Sequence, residues 1–200
     1  MSTIRITKGF HDDERNQVAA LYWEAFGEKL SIGLGPDNKA LNFLARVADP
    51  DFALCARDES GTLLGVAGFK TNEGALINGG LGDLRATYGF LSALWRAALL
   101  TIVERKLEQN SLLMDGIFVT KSARGLGLGT ALLNAIKQEA ETRNCSDVRL
   151  DVIDTNPRAR SLYEREGFVA GGIQSLGPLK HIFGFSSATE MRFTLRPHSR

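Results

Sequence analysis

Residues 124 to 130 read Arg124-Gly125-Leu126-Gly127-Leu128-Gly129-Thr130, and the fold turns on what flanks them. Before them, Leu112 to Val119 (Leu-Leu-Met-Asp-Gly-Ile-Phe-Val) is an apolar run of strand length. After them, Leu128, Ala131, Leu132, Ala135 and Ile136 repeat at helical spacing, opposite Lys137, Gln138 and Glu141. The stretch is therefore a strand-to-helix turn carrying three glycines. Glycine lets the backbone take left-handed angles and approach a ligand closely. The first turn of a helix leaves N–H groups without internal partners, and its dipole favours an anion there. Together these make a pyrophosphate cradle, to which Arg124 can add a guanidinium contact. A tight connection without any ligand would use the same residues.

Two other nucleotide sites are excluded by spacing. No Gly-Lys dipeptide occurs, so the P-loop pattern is absent. Counting G-x-G-x-x-G from Gly125 places Thr130 where the last glycine would fall, and the cluster lies late in the chain rather than on a first β-α unit.

Moving outward, Val148 to Ile153 is the next strand candidate, followed by Asn156-Pro157-Arg158-Ala159-Arg160-Ser161-Leu162-Tyr163-Glu164-Arg165-Glu166-Gly167-Phe168. Asn156 suits a helix N-cap, Pro157 the first helical position, and Gly167 a left-handed helix stop. Ala159 and Tyr163 are four apart, so they share a helix face and the small side chain leaves room beside the phenol. A capped helix with a partly buried tyrosine is the plain reading of these residues alone.

The two segments together are more specific than either. Arg124-x-x-Gly127-x-Gly129 resembles the (Q/R)-x-x-G-x-(G/A) motif of the GCN5-related N-acetyltransferase (GNAT) family, and Val119 falls where that family ends the preceding strand. Residues 156–168 resemble the family's N-x-x-A-x-x-L-Y-x-x-x-G-F segment at every specified position. Lys121 departs from the proline the family commonly has there. The matched motifs span residues 112 to 168.

The resemblance implies an acetyl-CoA-dependent N-acetyltransferase in which a primary amine attacks the thioester directly, through a tetrahedral intermediate. It implies that the backbone of Gly125, Leu126, Gly127, Leu128, Gly129 and Thr130, with Arg124, holds the coenzyme A diphosphate. Ile117 and Val119 would flank the pantetheine arm, and an N–H there would stabilise the oxyanion. Asn156 would contact the cosubstrate or a bound water, beside Ala159. Tyr163 would be the general acid, since a phenol with pKa about 10 keeps its proton at neutral pH. The implied fold is α/β (α+β), a mixed, mostly antiparallel central sheet with a splayed central strand pair and flanking helices.

An ammonium has no lone pair, so the amine must lose a proton before attack. Asp115 shares strand parity with Ile117 and Val119 and is a candidate base. A cation-binding Asp and a structural Asp are the other readings. Glu24 and Glu28 are weaker candidates, and Tyr22, Trp23, Tyr88 and Trp95 supply aromatic surface for an acceptor or for the core. The acceptor would be an amine on a small molecule, a protein or a peptide. The alternative function is a catalytically inactive acyl-CoA sensor, and a homodimer is the alternative to a single subunit.

Upstream, Ile4 and Ile6 mark a short strand over Thr3 to Thr7. Val18, Leu21, Tyr22, Ala25 and Phe26 mark a helix ending near Gly27, and Asp37 to Ala48 a second helix. Phe52–Arg57 and Leu63–Lys70, joined by Asp58-Glu59-Ser60-Gly61, read as a hairpin. Residues 71 to 83 read as a loop. Leu84, Tyr88, Leu91, Trp95, Ala98, Leu99 and Ile102 continue at helical spacing, a helical insertion over about residues 84–109. Phe168–Ile173 and Ala188–Leu195 are the last strand candidates.

Composition bounds the rest. Two hundred residues suit one domain over 1–200. A net charge of +1 from 24 basic and 23 acidic side chains, without a basic block, gives no nucleic-acid footprint. No apolar stretch reaches the roughly 18 residues of a membrane span. Cys55 and Cys145 lack C-x-x-C spacing, and His11, His181 and His198 lack metal-ligand spacing. No metal is expected, and the expected compartment is the cytoplasm.

Overall fold

The computed structural model describes residues 4–103, 107–177, 180 and 184–195. Thr3, Glu104-Arg105-Lys106, His181 and His198 lie outside the described residues. The chain runs β1 (Arg5–Lys8), α1 (Arg15–Leu34), α2 (Asp37–Val47), β2 (Ala53–Arg57), β3 (Leu63–Thr71), β4 (Gly74–Ala75), α3 (Leu81–Tyr88), α4 (Phe90–Val103), β5 (Ser111–Val119), α5 (Leu128–Thr142), β6 (Asp147–Ile153), α6 (Pro157–Arg165), β7 (Val169–Ser175) and β8 (Ser187–Thr194). The eight-stranded sheet has the order β1-β2-β3-β5-β6-β8-β7, with β4 paired to β3.

Every pairing is antiparallel except β5 with β6. Parallel neighbours need a crossover, and α5 supplies it. The parallel seam is short: Ser111, Leu112 and Leu113 face Asp147, Val148 and Arg149, and pairing stops there. Beyond that point β5 stays on β3 as far as Val119, while β6 stays on β8 as far as Ile153. Each strand keeps its outer partner while the inner seam opens, so the expected splayed central pair is present. At the closed end, Ser111 Oγ donates to Asp147 Oδ1 at 2.5 Å, and Arg192 bridges Asp147 and Glu108 at 3.2 and 2.9 Å.

The helices cover both faces. On β3, Phe69 lies under the guanidinium of Arg143, the residue just after α5, 5.2 Å from its ring centre. Its neighbour Lys70 points the other way, where it lines a cavity walled by α1 to α4. The apolar stripe of α5 (Leu128, Leu132, Leu133, Ile136) is fully buried on the sheet. A second apolar cluster, around Leu44, Phe43, Leu34, Leu84 and Tyr88, joins α1 to α4.

Two helix expectations are corrected. The first helix does not end near Gly27 but continues to Leu34. A Cβ on Gly27 would come within 2.8 Å of the Trp23 ring, so this glycine admits close ring packing rather than stopping the helix. The single helix expected from residue 84 to 102 is two, broken at Gly89, whose φ is +81°. The loop expected over 71–83 contains β4 and the start of α3. No helix among the described residues is long and apolar enough to cross a membrane.

Candidate active site

The turn after β5 has the geometry its glycines suggested. Gly125 and Gly127 stand at φ +86° and +80°, and a Cβ on either would meet nothing within 4 Å. Gly127 is the N-cap of α5, and the first helical bond is from Ala131 N–H to Gly127 C=O at 3.1 Å. The N–H groups of Leu128, Gly129 and Thr130 therefore belong to the turn that a helix leaves without internal partners. The Leu128 side chain is buried in the core, so only its backbone faces the opening. Leu126 is exposed. A Cβ on Gly129 would lie 3.2 Å from Leu162 Cδ2, so α5 and α6 approach closely at this glycine.

Arg124 does not stand alone beside the turn. Its Nη2 donates to Glu24 Oε1 of α1 at 2.7 Å, and its Nε reaches the Val119 carbonyl at 3.4 Å. Lys121 lies 3.7 Å from the same Glu24 oxygen. Glu24, read from the sequence as a weak base candidate, instead tethers α1 to the glycine turn. A helix position and its exposed charge carry no signal for a partner a hundred residues away.

On α6, Asn156 Oδ1 accepts from Ala159 N–H at 3.1 Å and caps the helix. Ala159 is half-buried. Tyr163 is buried, with its ring centre 6.0 Å from that of Phe168. The structure thus joins the two motifs through Gly129 and Leu162.

Asp115 does not share a side with Ile117 and Val119. The register steps from Met114 opposite Phe69 to Gly116 opposite Gly68, so Asp115 is the extra residue of a β-bulge, which resets the alternation. A Cβ on Gly116 would meet Phe26 of α1 at 2.5 Å, and Phe118 packs edge-on against Tyr22 and Phe26. Ile117 and Val119 alternate to the α5 side. Asp115, with Leu113, lines the cavity on the α1 side.

That cavity, about 600 Å³, opens at the fork. Leu113, the last paired residue of β5, borders it, and just past the seam so do Asp115 of β5 and Asp151 and Ile153 of β6. Tyr22 is the one of the four proposed acceptor aromatics that lines it. Tyr88 packs on Phe43 in the second cluster, Trp23 packs on Gly27, and Trp95 lies exposed beside Arg96. Asp151, Lys70 and Gln174 also line the cavity. None of them stood out in the sequence, since strand parity in a splayed sheet is not visible without the partners.

Burial works against a thiolate at either cysteine. Burial pushes Cys55 up to about 12 and also raises Cys145, so both stay protonated at neutral pH. Both are free thiols. His11 sits at the start of a short 3₁₀ turn, where its N–H donates to Glu14 Oε2 at 2.8 Å.

A glycine turn cradling the head of a helix, set where a parallel strand pair forks, defines an acyl-CoA N-acyltransferase type of fold. A profile of the acetyltransferase (GNAT) family matches residues 15–168, and the chain belongs to that family. It is 41% identical over 63 residues to an acetyltransferase of Agrobacterium fabrum and 35% identical over 54 residues to the thialysine N-epsilon-acetyltransferase of Bos taurus. These matches cover 32% and 27% of the chain, and 43% and 32% of the relatives, so the chain spans less than half the length of either. Among solved structures, an N-acetyltransferase from Staphylococcus aureus Mu50 superposes with a TM-score of 0.65 at 14% identity, over 94% of this chain and 100% of the other. A GCN5-related N-acetyltransferase from Kribbella flavida gives 0.64 at 16% identity, over 96% and 98%. At such identities the likeness concerns the fold.

Proposed function

We propose that the protein transfers the acetyl group of acetyl-CoA to a primary amine by direct attack. One observation carries the reading. The first-turn amides of α5, behind two left-handed glycines with open space before them, stand at the end of the strand that leaves its parallel neighbour. The residues fit the cosubstrate: the N–H groups of 125–130 and the positive end of the helix suit a diphosphate, and the opened seam offers unpaired strand edges to a pantetheine arm.

Acetyl-CoA supplies the activated acyl group. Asp115, turned by its bulge toward the chamber, either takes the amine proton or holds a cationic acceptor. A β5 N–H near Ile117 or Val119 stabilises the charge developing on the acyl oxygen. Tyr163 protonates the departing sulfur. Asn156 fixes the start of α6 and so the place of Tyr163 and Ala159. Arg124, held by Glu24, lends positive charge beside the turn.

Calorimetry with coenzyme A tests the cradle, and association is expected. Tyr163→Phe is expected to keep that affinity while turnover, followed by thiol release, falls about a hundredfold or more. No association with coenzyme A overturns the reading. Unchanged turnover in the variant removes Tyr163 from the acid role. Association without turnover of any amine would make the protein an acyl-CoA sensor.

A further inference from the structure

The chamber at the fork is strongly asymmetric. Its polar side chains are Lys70, Thr101, Asp115, Asp151 and Gln174 with the phenol of Tyr22, and, glycines apart, every other described residue lining it is aliphatic or aromatic. The carboxylates flank the fork, Asp115 from β5 and Asp151 from β6. The apolar wall comes from the helices, with Phe26 and Leu30 of α1, Phe43 of α2, Leu84 of α3 and Ala97 and Leu100 of α4. Two carboxylates and one ammonium group therefore line the chamber. Arg149, 3.8 Å from Asp151, is already shared with Glu190 at 3.0 Å and Glu108 at 3.3 Å.

We propose that the acceptor is a monoamine carried on a bulky apolar body, a long alkylamine or an arylalkylamine. Its nitrogen lies between Asp115 and Asp151 at the fork, and its body lies against α1 to α4. The inference rests on the function proposed above and names the acceptor of that same site. An ammonium leaves water at high cost unless carboxylates meet it, and the fork provides them. A polyamine or aminoglycoside would bring several cations against aliphatic walls that cannot satisfy them. A volume of about 600 Å³ lies within the range of small-molecule pockets. The bound ammonium first gives one proton to Asp115 or to water; transfer then forms the N–C(acyl) bond and breaks the C–S bond, with a second proton leaving the nitrogen and one reaching the sulfur.

The test is a homologous amine series, from n-butylamine through n-hexylamine to n-octylamine, with phenethylamine, ethanolamine, lysine and spermidine beside it. Coenzyme A affinity is measured on the same samples. In the alkyl series kcat/KM is expected to rise roughly threefold to fourfold per added methylene until the chamber is full. Ethanolamine, lysine and spermidine are expected to fall at least about tenfold below n-octylamine. Ala97→Phe should shorten the longest chain accepted, lowering kcat/KM for n-octylamine far more than for n-butylamine, while coenzyme A affinity is kept. Asp151→Asn should raise KM for every amine, and both variants are checked for wild-type unfolding midpoints. A flat alkyl series, or a preference for ethanolamine, lysine or spermidine with coenzyme A binding intact, overturns the acceptor assignment and leaves the acetyltransferase reading standing. Loss of coenzyme A binding in the wild-type protein overturns both.

Discussion

Gly127 has φ +80° and ψ 3°, a left-handed conformation that costs a residue with a Cβ about 1–2 kcal/mol. The space around it is open, so the cost of Gly127→Ala is torsional rather than steric. The variant is expected to lose about 1 kcal/mol in urea unfolding and to bind coenzyme A roughly tenfold more weakly as the turn relaxes. At Gly129 the neighbour is the tip of Leu162, which can shift, so alanine there should cost less stability than at Gly127. Gly27 and Gly89 look alike in sequence yet do opposite things. One continues a helix under a tryptophan ring, and the other breaks an apolar helical run at φ +81°.

Among elements, the opening of β5 from β6 is made by partners on both sides. β3 stays paired with β5 as far as Val119 and β8 with β6 as far as Ile153, while the middle seam ends after three residue pairs. The edge of the sheet is fastened separately. Arg57 of β2 donates to both Glu14 carboxylate oxygens, through Nη2 to Oε2 at 2.7 Å and through Nη1 to Oε1. That hydrogen bonding holds the Glu14 carboxyl below its ordinary 4.5. A depressed carboxyl contributes stability above its ordinary value and loses it as pH falls through its lower folded value. Wild type is therefore expected to exceed Glu14→Gln by about 1–3 kcal/mol at pH 7. The gap should narrow in urea titrations as pH falls below 4.5 and close once pH is under the lower folded value, whereas a gap independent of pH would contradict the pair. Helix and strand periodicity made most elements readable in the chain, but Asp115 was not. A bulge is a relation between two strands, so parity counted along one strand misplaces the side chain.

For the molecule as a whole, two apolar clusters meet at a few shared side chains. Tyr22 and Ile77 pack against both the sheet core and the helical cluster of α1 to α4. The wild-type protein is expected to unfold in one cooperative transition. Tyr22→Ala should lower stability by about 3 kcal/mol, because it removes an aromatic side chain that touches both clusters. Two resolved transitions in calorimetry of the wild type would show the clusters to be independent. The same substitution enlarges the chamber at the fork, so its effect on the acceptor is separable from its effect on the cradle.

Local information settled the glycine turn, the capped α6 and most of the order of strands and helices, β4 and the break between α3 and α4 excepted, because each depends on residues within one or two turns of chain. Periodic burial, glycine torsions and N-capping are short-range physics. Long-range contacts settled the rest: the pairing of Glu24 with Arg124, the meeting of Gly129 with Leu162, the face Asp115 presents and the chamber between β5, β6 and four helices. Those depend on which segments become neighbours after loop closure and sheet pairing, and side-chain spacing along the chain carries no measure of that distance.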